Sequence, residues 1–171
     1  MKFVKYFFML LSVTLFLACG GGGEEKKDEK KSVTIGTTET KKKESSNAVN
    51  IGITGNDLMQ FDKNEIRVKA GQEVTLTLRH VGKQELLIMG HNFVLLKQGV
   101  DLAAFGQAAT LAGKDSDWIP NNGQDVIAHT KMIGGGQTTK VTFVAPAAGT
   151  YDFLCSFSGH WATMKGKFIV E

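Results

Sequence analysis

A hydrophobic period of two running through residues 48–171 constrains this chain more than any other feature. Val49, Ile51 and Ile53 alternate with polar or small neighbours, as do Ile66 and Val68, then Val74, Leu76 and Leu78. The alternation returns in residues 126–132, 138–144, 149–155 and 167–170, between breaks such as Gly134-Gly135-Gly136 and Ala145-Pro146. Successive side chains of a strand point to opposite faces, so each segment reads as a strand with one buried face. Seven or eight such strands at this spacing predict an all-β fold, an antiparallel Greek-key sandwich. Residues 101–112 depart from the pattern: Leu102, Phe105 and Ala109 fall at helical spacing behind Asp101, a candidate N-cap, which predicts one short helix outside the sheets.

The residues before the sandwich read differently. Met1 to Lys5 is a short basic stretch and residues 6–17 are an apolar run too short to span a bilayer, so residues 1–18 read as a signal peptide. The run ends in Leu15-Phe16-Leu17-Ala18-Cys19, which resembles a bacterial lipobox and marks Cys19 for lipidation; Phe16 departs from the aliphatic residue usual there. Residues 20–47 open with four glycines and continue as Glu, Lys, Ser and Thr, too polar to bury a core, and read as a flexible linker. The organisation expected is therefore a lipoprotein signal peptide (1–18), a lipidated Cys with its linker (19–47) and one β-domain (48–171). Of 20 basic and 17 acidic residues, the domain holds eleven of each, so it carries no electrostatic footprint for nucleic acid. A Gly-rich phosphate loop, a hydrolase-like Ser/His/Asp order and internal repeats are all missing, which argues against an enzyme acting on a small-molecule substrate.

With Cys19 in the leader, Cys155 is the domain's single thiol and an internal disulfide is excluded. The alternation of Tyr151, Phe153 and Cys155 points the thiol inward at the end of a strand. The following loop returns His160 and Met164 before the last strand, and Met89-Gly90-His91-Asn92-Phe93 offers a second imidazole at the start of another strand. One thiolate, two imidazoles and a thioether are the donor set of a trigonal copper site with a weak axial Met. Three other readings of Cys155 stand beside it. It is a small buried hydrophobe, a nucleophile needing an oriented base and a cleft, or a zinc ligand short of Cys and His partners. His80 is in phase with Leu76 and Leu78 and reads as a satisfied buried histidine, whereas His129 is out of phase with Val126 and Ala128 and reads as solvent-facing.

Residues 48–171 resemble the azurins, blue-copper proteins of the cupredoxin kind. Gly55-Asn-Asp-Leu-Met-Gln-Phe61, Met89-Gly-His-Asn92, Val126-Ile-Ala-His-Thr-Lys131 and Met164-Lys-Gly166 match azurin segments nearly letter for letter and in order. The resemblance implies one copper ion held by His91, Cys155, His160 and Met164, with the Gly90 carbonyl as a distant fifth contact. It implies one-electron transfer between redox proteins, through His160 and an apolar patch to which Met59, Met89 and Phe157 contribute; Trp161, next to His160, is a further docking candidate as an aromatic anchor. Lipid-anchored members with a low-complexity arm exist, and the leader and linker resemble theirs, which implies a bacterial envelope location. The positions matching the disulfide usual in azurins, near Val49 and Gly71, lack Cys, an absence worth ~3 kcal/mol by loop entropy. Ser158 replaces a common proline and Trp161 a usually small residue. A copper-buffering envelope protein and a recognition lipoprotein are the other functions this sequence accommodates.

Overall fold

The structure, a computed structural model, describes residues 47–171. The signal peptide, Cys19 and the linker lie outside the described residues. Eight strands form two sheets: β1 (Ala48–Gly55), β2 (Glu65–Val68), β3 (Glu73–His80), β4 (Val94–Leu96), β5 (Val126–His129), β6 (Thr138–Val144), β7 (Gly149–Leu154) and β8 (Lys165–Val170). One sheet has the order β1-β3-β6 and the other β2-β8-β7-β4-β5.

The inward faces are those that the alternation marks. Val74, Leu76 and Leu78 are fully buried, and they meet Ile53, Ile66, Val68, Phe93, Phe153 and Phe168 in the principal core. Each such side chain contributes about 1.5–3 kcal/mol by leaving water. Tyr151 buries its ring there and donates its hydroxyl to the Ala147 carbonyl at 2.8 Å, so its polar tip is satisfied.

Two departures from the sequence expectation have clear causes. The sandwich is mixed and not wholly antiparallel, since β1 pairs with β3, and β2 with β8, in parallel. All the pairings fit a chain that reverses at every connection, so odd strands run one way and even strands the other. Neighbours of like parity are then parallel, while β3·β6, β4·β5, β4·β7 and β7·β8 are antiparallel. Side-chain alternation is the same in both cases and cannot report the partner. The second departure is a helix besides the expected one. The expected helix is present as α2 (Leu102–Ala112), with Asp101 accepting from the Ala104 amide at 2.8 Å and Phe105 and Ala109 buried. Ahead of it lies α1 (Leu86–Met89), a single turn too short to display a period of 3.6.

Where a disulfide is missing, hydrogen bonds join the two segments. The Asn47 side-chain amide donates to the Gly71 carbonyl at 2.9 Å, and the Glu73 amide to the Asn47 carbonyl at 2.9 Å. They align β1 on β3 but leave the unfolded chain unconstrained, which is the part of the stabilisation that a covalent bridge adds.

Candidate metal centre

Four expected ligands converge at one end of the sandwich. Cys155 follows directly on β7, and its amide donates to the Met164 carbonyl at 2.9 Å, which holds the thiol beside the start of β8. Between them the chain makes a 3-10 turn, His160–Ala162, entered through Gly159 in the left-handed region (φ 80°), a conformation that favours glycine. The Met164 amide returns to the His160 carbonyl at 2.8 Å, so these two ligands are coupled through the backbone. His91 precedes β4 and exchanges both backbone hydrogen bonds with Ile133, each at 2.9 Å.

The side chains meet in the interior. Cys155 Sγ lies 3.8 Å from His91 Nδ1, 3.7 Å from His160 Nδ1 and 3.7 Å from the Gly90 carbonyl. The three ligand atoms of His91, Cys155 and His160 all fall within 4.8 Å of one another. The donor spacing can be compared with metal–ligand lengths. Bonds of about 2.3 Å to sulfur and about 2.05 Å to imidazole nitrogen, opened to about 120°, set sulfur and nitrogen about 3.8 Å apart. A tetrahedral angle would bring them to about 3.6 Å. The observed separations of 3.7 and 3.8 Å are those of donors that share one metal ion. Met164 is fully buried and packs with Cys155, Met132, Phe157 and Trp118.

Gly55 shows how closely Met164 and His91 approach. A Cβ there would lie 2.7 Å from Met164 Cε and 2.8 Å from His91 Cδ2. Gly55 has no chemistry of its own, and its identity as a site residue is legible only in three dimensions.

Burial sets the protonation states. It holds His91 and His160 down to about 4, because a charged imidazole would lose its water. It pushes the Cys155 thiol up to about 12, against weaker opposition from the Asn92 and Phe157 backbone amides. Both imidazoles are therefore neutral near pH 7 with a lone pair to offer. His91 Nε2 is 2.9 Å from the Asn56 carbonyl and must donate to it, so the lone pair is on Nδ1, the atom facing sulfur. Among the described residues His160 Nε2 has no hydrogen-bond partner. Since no buried side-chain nitrogen or oxygen among the described residues lacks a partner, that ring edge reaches solvent.

Supporting residues surround the ligands. His80 is fully buried, accepts from the Gly82 amide at 3.0 Å and donates to the Met89 carbonyl at 2.7 Å, and its ring stacks on His91 at 4.2 Å. It is the satisfied histidine that its phase suggests, while His129 is exposed. The Asn92 side chain bridges to the neighbour of Cys155, donating to Ser156 Oγ at 2.8 Å and accepting from the Ser156 amide at 2.9 Å. This tie spans 64 positions of the chain, beyond any local sequence signal.

The residues expected at the docking patch are spread over a range of exposure. Met59 is 38 % exposed, Met89 and Trp161 are half-buried, and Phe157 is buried between Trp118 at 5.0 Å and His160 at 4.8 Å. Exposed apolar side chains on the neighbouring segments are Leu58 beside Met59, Leu87 and Ile88 on α1, and Leu111 of α2, which lines a groove with Gly159 and Trp161. Sequence reasoning passed over them. For Leu87 and Ile88 the only signal is a run of four apolar residues, Leu86 to Met89, out of phase with any strand.

Comparison with known proteins agrees with this geometry. Residues 47–171 match the family model of copper binding proteins, plastocyanin/azurin family. Azurin-1 of Alcaligenes xylosoxydans xylosoxydans is 48% identical over 120 residues, 68% of this chain and 92% of that protein. Azurin of Alcaligenes faecalis is 42% identical over 123 residues, 70% of this chain and 95% of that one. The solved structure of auracyanin A, a "blue" copper protein from Chloroflexus aurantiacus, superposes with a TM-score of 0.67 at 35% identity, covering 72% of this chain and 99% of that one. With a Cys-His-His donor set in a two-sheet sandwich and a match that runs through every ligand, this chain belongs to the plastocyanin/azurin family of copper-binding proteins.

Proposed function

We propose that the chain is a one-electron carrier of the bacterial cell envelope, working through one type 1 copper held by His91, Cys155, His160 and Met164. The observation that carries this reading is the preset donor set: Sγ and two Nδ1 atoms stand within reach of one metal ion inside a buried site. Copper bound there supplies a Cu(I)/Cu(II) couple and an intense thiolate charge-transfer colour. The protein's part is to hold the donors still. His91 is fixed by the Asn56 carbonyl and the His80 stack, Cys155 by the Asn92–Ser156 tie, and Met164 by its backbone bond to His160. Donors fixed between the preferences of the two oxidation states need little rearrangement when an electron passes. The site is for electron transfer and not for conversion of a substrate.

The finer assignments extend this reading. The Gly90 carbonyl is the distant fifth contact, a reading supported by its 3.7 Å distance from Sγ. The solvent-reaching edge of His160 is the electron port. Met59, Met89, Phe157 and Trp161, joined by Leu58, Leu87 and Ile88, form the apolar surface on which redox donor and acceptor proteins dock. Cys19 carries the lipid, and residues 20–47 tether the domain with an r.m.s. span of roughly 30 Å. The test is addition of Cu(II) to the purified protein. An intense visible band saturating at one equivalent, with fast reversible reduction, supports the reading. A colourless complex, or slow reduction with ready transfer of copper to a chelator, refutes it in favour of a copper buffer.

A further inference from the structure

We infer that Trp161 is a positioning residue whose indole, seated on the bare Cα of Gly106, clamps the loop bearing His160 and Met164 onto α2. The observation is a helix-interior glycine with a ring over it. Gly106 is buried within α2 and keeps a negative φ, so its backbone has no need of glycine. Glycine is the poorest helix-interior residue after proline. A Cβ at Gly106 would lie 2.3 Å from Trp161 Cγ, 2.4 Å from Cδ2 and 2.6 Å from Cδ1, far inside van der Waals contact. The indole thus occupies the space of the missing methyl, and a side chain at position 106 is incompatible with Trp161 where it is.

The clamp leads from the core to the ligands. Phe105 and Ala109 fasten α2 to Val94, Leu96 and Leu154 of β4 and β7, and Trp161 packs on this same cluster. Trp161 sits inside the 3-10 turn, immediately after His160. The Thr163 and Met164 amides bond back to the His160 carbonyl across it, at 3.0 and 2.8 Å. A displacement of the indole that carries the Trp161 backbone with it therefore moves both ligands. Ser158, Gly159, Ala162 and Thr163 are exposed, and apart from the ligands the other holds on the loop are Phe157, packed on Trp118, and a 3.4 Å bond from Thr163 Oγ1 to the Met59 carbonyl. Holding the donors in place before the ion arrives lowers the ordering cost of binding and slows the loop opening that release requires.

This inference rests on the copper reading for its functional consequence, but its mechanical content can be measured separately. Gly106→Ala, Trp161→Ala, Trp161→Phe and the double variant Gly106→Ala/Trp161→Ala are compared with the wild type in two assays. One is the rate of copper loss to a chelator, and the other is amide hydrogen exchange at Thr163 and Met164. Gly106→Ala, which alters no loop residue, is expected to speed release and exchange by about tenfold, equivalent to about 1.4 kcal/mol. Trp161→Ala should do the same. The double variant should be no worse than Trp161→Ala alone, because the two changes remove one contact, and Trp161→Phe should stay near wild type. A Trp161 that served only partner docking would leave Gly106→Ala unchanged in both assays, and that result overturns the clamp. So do additive effects of the two Ala substitutions. A wild type without the blue band would overturn the copper reading, and exchange in the metal-free protein would then still decide for or against the clamp.

Discussion

Replacing Gly55 with Ala tests whether the thioether of Met164 and the ring of His91 share the site as closely as the structure places them. Gly55 closes β1 with a negative φ that alanine adopts freely, so the added methyl is a purely steric probe. It would stand 2.7 Å from Met164 Cε and 2.8 Å from His91 Cδ2, where ordinary contact begins at 3.4 Å; the arithmetic asks each to yield by 0.6–0.7 Å. His91 is held by two backbone bonds to Ile133, by Nε2 on the Asn56 carbonyl and by the His80 stack. Met164 has only its flexible side chain to move, so it is the group that gives way. Overpacking of this kind costs about 1–3 kcal/mol. For a domain of this size that lowers Tm by roughly 3–15 °C. A retreating thioether removes a soft donor from Cu(II), so the reduction potential should rise, in the same direction as for Met164→Leu. Thermal unfolding of the metal-free protein and voltammetry of the copper-loaded protein measure the two effects. Gly55→Ala should cost less stability in a Met164→Ala background than in the wild type, because the truncated side chain vacates the space. A Gly55→Ala protein with wild-type Tm and wild-type potential would refute the placement of Met164 against this glycine.

Cys155→Ser should abolish the charge-transfer colour while circular dichroism still reports a folded sandwich, because it changes one atom of a well-packed core. An intense blue band in that variant would remove Cys155 from the site. The metal-free domain should lose stability as pH falls from about 6.5 towards about 4. In that window unfolded His91 and His160 take up protons that the buried rings refuse, so the unfolded state binds more protons and stability rises with pH. Urea unfolding at a series of pH values checks this, and a flat profile would contradict it. At neutral pH the imidazoles bind metal without losing a proton, whereas the Cys155 thiol, pushed up to about 12, must lose one. Apparent copper affinity should therefore gain about tenfold per pH unit between pH 5 and 9, and a slope of two protons would show that a second group titrates. Full-length protein made in a bacterial host should fractionate with membranes and lose that behaviour on Cys19→Ser, as expected for several acyl chains on one cysteine. A wholly soluble wild type would remove the anchor and leave the copper site untouched.

The ligands were legible in the sequence because three of the four fall within the ten residues from Cys155 to Met164, at the mouth of a strand whose phase points the thiol inward. The two-sheet architecture was legible for a related reason. Alternation is a local property of each strand, and a half-apolar strand must bury that half. Pairing partners lie many residues apart and leave no mark on alternation, so the parallel β1·β3 and β2·β8 pairs emerge only in the assembled fold. The same holds for everything that supports the donors. Gly55 under Met164 and His91, His80 stacked on His91, the Asn92–Ser156 tie and Trp161 on Gly106 are all encounters between separate elements. Donor chemistry is carried by residue identity and survives in a one-dimensional reading. The 3.7–3.8 Å spacing that gathers those donors into one site is set by long-range packing, because fixing it requires two sheets, a helix and two loops to close on one another.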